Sequence, residues 1–159
     1  MGAHTDYECF TILHTLQSGL QILDKNDEWI EAPVVKGAYA VNIGDLMEAW
    51  TNGRFVATAH RVVTDGTERF SMPFFVSTDY GTVIEPLKPS GAGGAASDYT
   101  PFVAGEHLMG QLLRDFPYLK KRYLNGEFSL KAGMPQGNPF EKRIAKTAQK
   151  SSGVLLAAQ

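Results

Sequence analysis

Short β-prone runs, each closed by a turn signal, fill the first 87 residues and constrain the fold more than any other feature. Phe10–Leu16, Leu20–Leu23, Ala38–Ile43, Phe55–Ala57, His60–Val63 and Arg69–Val76 are rich in Val, Ile, Phe and Thr, which suit a half-buried pleated surface. Between them stand Asp24-Lys25-Asn26-Asp27, Asn52-Gly53 and Asp65-Gly66, residues that accept the backbone of tight turns. One short helix is expected in this zone, from Gly44 to Trp50, with Asp45 as its N-cap. Strands this short and this close argue for an antiparallel sandwich or barrel.

Three zones follow from the composition along the chain. Residues 1–87 form the β core, residues 88–97 (Lys-Pro-Ser-Gly-Ala-Gly-Gly-Ala-Ala-Ser) a small-residue linker, and residues 98–159 a helix and a polar tail. In the last zone Leu108, Met109, Leu112, Leu113 and Phe116 fall at helical spacing within Val103–Tyr123, so one face should pack on the sheet, and Pro117 kinks or restarts the helix. Beyond Asn125 a loosely ordered tail is expected, apart from a helix at Phe140–Ala148. A length of 159 residues suits a single domain. The net charge of −2 and the lack of a basic stripe argue against a nucleic-acid partner. No apolar run spans a membrane. A single cysteine, Cys9, permits no internal disulfide, and no signal peptide opens the chain, so the cytoplasm is the expected setting.

Two small groups of residues carry chemistry. His4 and Asp6 stand two apart, so in extended backbone both side chains reach one point. His60, in a separate run, supplies a second imidazole. Two imidazoles and a carboxylate can occupy one face of an octahedral metal and leave the other open, the ligand set of non-haem Fe(II) oxygenases. Arg69 and Ser71 form a second same-face pair. The guanidinium fork suits a carboxylate, although an internal ion pair from Arg69 to Glu68 or Asp65 is the simpler alternative. His14 and His107 have no partner motif, and a strand position and a polar helix face account for them. Cys9 is odd-spaced from Asp6 and should face away from a metal, Trp29 and Trp50 read as core or rim aromatics, and at most one of Phe74 and Phe75 can face inward. No catalytic side chain beyond the metal ligands is singled out.

In order along the chain, His4-Thr5-Asp6, His60 and Arg69-Phe70-Ser71 resemble the pattern of the isopenicillin-N-synthase-like group of Fe(II)/2-oxoglutarate-dependent dioxygenases. So do Gly19-Leu20-Gln21, Val41-Asn42-Ile43-Gly44-Asp45, Trp50-Thr51-Asn52-Gly53 and Pro73-Phe74-Phe75-Val76, over roughly residues 2–87. The resemblance implies a double-stranded β-helix, or jelly roll, followed by a C-terminal α-helix. It implies that His4, Asp6 and His60 bind Fe(II), and that Arg69 and Ser71 hold the distal carboxylate of 2-oxoglutarate. It further implies consumption of O2, release of succinate and CO2, stimulation by ascorbate, and hydroxylation, desaturation or ring closure of a small organic molecule, often in secondary metabolism. An oxidase of the isopenicillin N synthase type, which needs no 2-oxoglutarate, stays open, as does an inactive binding module that keeps the metal site. Family members carry helices and strands ahead of the His-x-Asp, whereas here His4 is the fourth residue. The expectation is therefore a jelly roll incomplete at its N-terminal side, with His4 on a fraying terminus and unpaired edges prone to self-association.

Overall fold

In the computed structural model, which describes residues 2–87 and 97–147, the β-prone runs pair into two antiparallel three-stranded sheets. The chain crosses between them repeatedly, as a jelly roll requires. β1 (Phe10–Thr15) lies in one sheet, β2 (Leu20–Leu23) and β3 (Trp29–Glu31) in the other. β4 (Ala40–Ile43) returns to the first sheet, β5 (His60–Val62) joins the second, and β6 (Ser71–Val76) the first. The strand orders are β4-β1-β6 and β3-β2-β5.

Register follows from the side-chain alternation. Ile12 pairs with both Val41 and Phe74, and these three face outward; Thr11 pairs with Asn42 and Phe75, and Leu13 with Pro73. Thr11, Leu13, Leu20, Leu23, Asn42 and His60 are buried. A second apolar cluster sits beneath the sheets, where Cys9, Leu46, Ala49, Ile84 and Ala104 are buried against Trp50, Phe102 and Phe140. Cys9 thus faces away from Asp6, as its spacing implied.

The short helix α1 (Asp45–Trp50) is present, but Gly44, not Asp45, is its N-cap, and no side chain caps it. The reason is local. The first helical N–H groups already have partners, since Asp45 N donates to the Asp6 carbonyl and Leu46 N to that of Glu8. A cap side chain is superfluous, and the Asp45 carboxylate is drawn into a buried contact described below.

Phe55–Ala57 is not a strand. Thr51 Oγ1 accepts from Phe55 N and Glu48 Oε2 from Ala57 N, so side chains of α1 and its end take the backbone groups that a ladder would use. Trp29–Glu31, which carries no separate strand signal, becomes β3 by pairing with β2, and Trp29 lies under the Arg61 guanidinium at 4.3 Å.

In the last zone β8 (Phe102–Val103) pairs with β7 (Val83–Ile84). The long helix divides at Phe116 into α2 (Ala104–Asp115) and α3 (Pro117–Leu124), with Pro117 in the first turn of α3. Its buried face differs from the leucine stripe: Leu113 is buried, but so are Gly105, Gly110 and Gln111, while Phe116 is exposed. The tail is also better anchored than its composition implied. Leu130 and Asn138 are buried, a 3-10 turn spans Pro139–Glu141, and residues 142–147 are helical. Arg143 reaches back to Asp27 in the β2–β3 turn. Most of the expected linker and the last part of the Phe140–Ala148 helix lie outside the described residues.

Candidate metal centre

The His4-Thr5-Asp6 segment runs antiparallel beside β5. His4 N donates to the His60 carbonyl at 3.0 Å and His60 N to that of His4 at 2.9 Å. Close to the start of the chain though it is, this segment is pinned rather than frayed, with Thr5 wholly buried.

The main-chain pairing sets the two imidazoles side by side, with ring centroids 4.3 Å apart. Each ring is oriented by the same device. His4 Nδ1–H donates to the Gly2 carbonyl at 2.9 Å, and His60 Nδ1–H to that of Thr58 at 2.8 Å. With Nδ1 so engaged, each Nε2 keeps its lone pair for a cation. Both Nε2 atoms stand 3.6 Å from Asp6 Oδ1. Thr11 Oγ1 donates to the other oxygen, Oδ2, at 2.5 Å, which fixes the carboxylate plane and leaves Oδ1 to the histidines.

One donor atom from each residue lies within 4.8 Å of the others. Donors bound at right angles to one ion at about 2.1 Å stand about 3 Å apart, so the three arms need close by no more than about 1 Å each, and the two contacts to Asp6 by less. Two neutral nitrogens and one anionic oxygen on a single face match the chemistry of a divalent transition metal with an open opposite face. The electrostatics agree. Burial alone would raise the Asp6 carboxyl, but the His4 and His60 imidazoles and the Thr11 hydroxyl hold it below the usual carboxylate range. Burial holds His60 below an ordinary histidine. It pulls His4 the same way, yet the contacts with Asp6 and the Gly2 carbonyl keep His4 above one.

Arg69 and Ser71 share a face, with Arg69 Nη1 donating to Ser71 Oγ at 3.2 Å. Arg69 Nε donates to the Ser18 carbonyl at 2.9 Å and Nη2 to Thr15 Oγ1 at 3.2 Å. All three partners are neutral. None of the ion pairs among the described residues involves Arg69, so neither Glu68 nor Asp65 takes its charge. A narrow cavity of about 70 Å³ is lined by Arg69 and Ser71 together with Asp6, His60, Thr11 and Phe75. A guanidinium with only neutral partners, on the wall of a cavity that Asp6 and His60 also line, is suited to an anion with two acceptor oxygens.

A larger cavity, of about 600 Å³, adjoins the other side of the ligand segment. His4, Asp6, Tyr7 and Phe75 line it from the sheet, and Leu108, Leu112 and Phe116 from the last zone. Phe75 lines both cavities, whereas Phe74 is 67% exposed. Sequence reasoning missed several of these residues. Thr11 and Thr15 were open to discovery, because they alternate with Leu13 on the inward face of β1. His107, which the sequence places on a polar helix face, lies against the buried Asp45, and nothing local marks it.

The family described as the "2OG-Fe(II) oxygenase superfamily" matches residues 1–78. Homoarginine-6-hydroxylase 2-ODD-C23 of Glycine max is 36% identical over 119 residues, covering 72% of this chain and 36% of that protein. The 2-oxoglutarate-Fe(II) type oxidoreductase hxnY of Emericella nidulans is 39% identical over 115 residues, covering 69% of this chain and 32% of that protein. Among solved structures, a full-length Neurospora crassa protein in complex with alpha-KG and thymine superposes with a TM-score of 0.66 at 29% identity, over 72% of this chain and 37% of that one. The chain thus spans about a third of the length of the curated relatives it matches. By sequence and by fold together, it belongs to the 2OG-Fe(II) oxygenase superfamily.

Proposed function

We propose that the chain carries the metal and co-substrate sites of an oxidoreductase, a non-haem Fe(II)- and 2-oxoglutarate-dependent dioxygenase acting on a small organic molecule. His4, Asp6 and His60 hold Fe(II), and Arg69 with Ser71 holds the distal carboxylate of 2-oxoglutarate. The observation that carries the reading is the convergence of the His4, Asp6 and His60 donor atoms within 4.8 Å, with both imidazoles oriented by carbonyl groups. When bound, ferrous iron and 2-oxoglutarate supply the oxidising power, drawing on O2 and releasing succinate and CO2 while a substrate carbon is hydroxylated, desaturated or closed into a ring. The protein orients and selects. Thr11 fixes the Asp6 carboxylate, Thr15 and the Ser18 carbonyl aim the Arg69 fork, and the cavity of about 600 Å³ beside His4 and Asp6 receives the substrate. The names of the relatives, homoarginine hydroxylases among them, and the thymine bound to the Neurospora crassa protein support a small organic substrate.

The same reading includes a cytoplasmic setting, which the single buried Cys9 supports. It also includes self-association through strand edges, supported by Val41, Met72 and Phe74, which lie exposed on the two edge strands of one sheet. Among the described residues no helix is long and apolar enough to cross a membrane.

The test is anaerobic addition of 2-oxoglutarate to the Fe(II)-loaded chain, with ascorbate keeping the iron ferrous. Chelation of the metal by the keto acid gives a visible charge-transfer band. We expect the band with the natural chain and its loss in His60→Ala. No band in the natural chain, or an equal band in His60→Ala, would refute the reading.

A further inference from the structure

We propose that His107 and Asn138 are positioning residues for the metal centre, holding the His4-Thr5-Asp6 segment in its ligand geometry through Asp45 and Thr5. The proposal rests on the metal reading above.

Side chains alternate along extended backbone, so when His4 and Asp6 point to the metal, Thr5 points away from it. Thr5 is 0% exposed, and its hydroxyl accepts a hydrogen bond from Asn138 Nδ2 at 3.2 Å. The other proton of the same amide goes to Asp45 Oδ2 at 2.8 Å. That carboxylate oxygen also accepts from His107 Nε2 at 2.9 Å. The Asn138 amide is itself oriented, because its Oδ1 accepts from Phe140 N at 3.1 Å. The His107 ring is set among Phe102 and Phe140, with centroids 5.1 and 5.6 Å away, and its side chain is 8% exposed. Asp45 completes the circuit through its main chain, with its N donating to the Asp6 carbonyl at 2.9 Å. Three separate parts of the chain therefore meet behind the ligand segment: the tail reaches Thr5 through Asn138, α1 reaches the Asp6 carbonyl through Asp45, and α2 holds the Asp45 carboxylate through His107.

This cluster is a poor device for stability alone. Asp45 is 0% exposed, and its Oδ1 has no hydrogen-bond partner among the described residues. A buried carboxylate with one oxygen unanswered is costly, and an apolar contact of the same shape would hold α1 against α2 as well or better. What a polar contact adds is direction. If Thr5 turns, His4 and Asp6 turn with it, because alternation couples all three. The cluster fixes that rotation from behind, as hydrogen bonds to a ligand's far side fix it from in front.

The experiment is a Co(II) titration of the full chain, read by calorimetry and by the visible ligand-field absorption of the complex, with melting of the metal-free protein followed in parallel. His107→Leu and Asn138→Leu remove the two donors at similar volume. Each should raise the Co(II) Kd about tenfold and alter the absorption spectrum, while His107→Gln, whose amide can still donate to Asp45, should return the Kd to within about threefold of the natural chain. Variants that melt lower but bind Co(II) with unchanged Kd and spectrum would show a merely structural cluster and overturn the proposal. If His107→Leu does not fold, Asn138→Leu against His107→Gln decides by the same criteria. Failure of the natural chain to bind Co(II) refutes the metal reading and the proposal with it; normal binding by the natural chain and by every variant refutes the proposal alone.

Discussion

Gly44→Ala is the sharpest small perturbation the fold offers. Gly44 has φ −106°, open to any residue, so the objection to a side chain there is purely steric. A Cβ would meet the Glu8 carbonyl oxygen at 2.2 Å, its carbon at 2.9 Å and the Asp6 carbonyl oxygen at 3.0 Å. All three are backbone atoms and cannot rotate away. Either the ligand segment or the start of α1 must retreat by about 0.8 Å to reach even the closest contact real structures show. Overpacking of this kind costs about 1–3 kcal/mol. The same retreat stretches the hydrogen bonds from Gly44 N to Cys9, Asp45 N to Asp6 and Leu46 N to Glu8. Each is worth about 1 kcal/mol, so overpacking and the three bonds together cost about 4–6 kcal/mol if the bonds are lost. That is a large share of a typical domain's stability and lowers Tm by about 10 °C or more. Differential scanning calorimetry and urea unfolding would measure it. Gly81→Ala is the control: no heavy atom lies within 4 Å of its Cβ position and its backbone is not left-handed, so the change should be near neutral. A Gly44→Ala protein that melts within about 2 °C of the natural chain would refute the reasoning that α1 clamps the ligand segment.

Arg69→Lys should weaken 2-oxoglutarate binding about tenfold or more, because Lys loses the fork and the contacts to Ser18, Ser71 and Thr15, while Mn(II) affinity stays unchanged; unaltered 2-oxoglutarate affinity by calorimetry would remove Arg69 from the site. Metal affinity should depend on pH with a definite sign. Burial notwithstanding, Asp6 and the Gly2 carbonyl hold His4 above an ordinary histidine, so it must lose a proton before Nε2 can bind, and Mn(II) affinity should rise as pH climbs through about 6.5 and above, then level off. Burial keeps His60 neutral in that window, so binding there should release about one proton, not two; an affinity flat from about pH 6 to about pH 8 would contradict this.

How much was legible in the sequence depended on distance along the chain. β1, β2, β4, β5 and β6 were readable because each is a run whose composition and alternation are local properties. The Arg69–Ser71 pair, and His4 with Asp6, were readable for the same reason, since residues two apart on extended chain share a face. β3 was not, because three residues at Trp29–Glu31 become a strand only through their partner Gln21–Leu23. Phe55–Ala57 misled because β-prone residues there give their N–H groups to Thr51 and Glu48 instead of to a neighbouring strand. Asp45 misled more instructively. A carboxylate at a helix start reads as a cap, but its partners His107 and Asn138 lie 62 and 93 residues further on, and no local pattern announces contacts at that range.

The central claim is that His4, Asp6 and His60 form one divalent-metal site. Titration with Mn(II), following free metal by electron paramagnetic resonance, tests it most directly, with the natural chain and His60→Ala run side by side. The account predicts one ion per natural chain and, with the buried imidazole gone and only two ligands left, an affinity lower by about a hundredfold or more in the variant. A His60→Ala protein that binds one Mn(II) as tightly as the natural chain would contradict it.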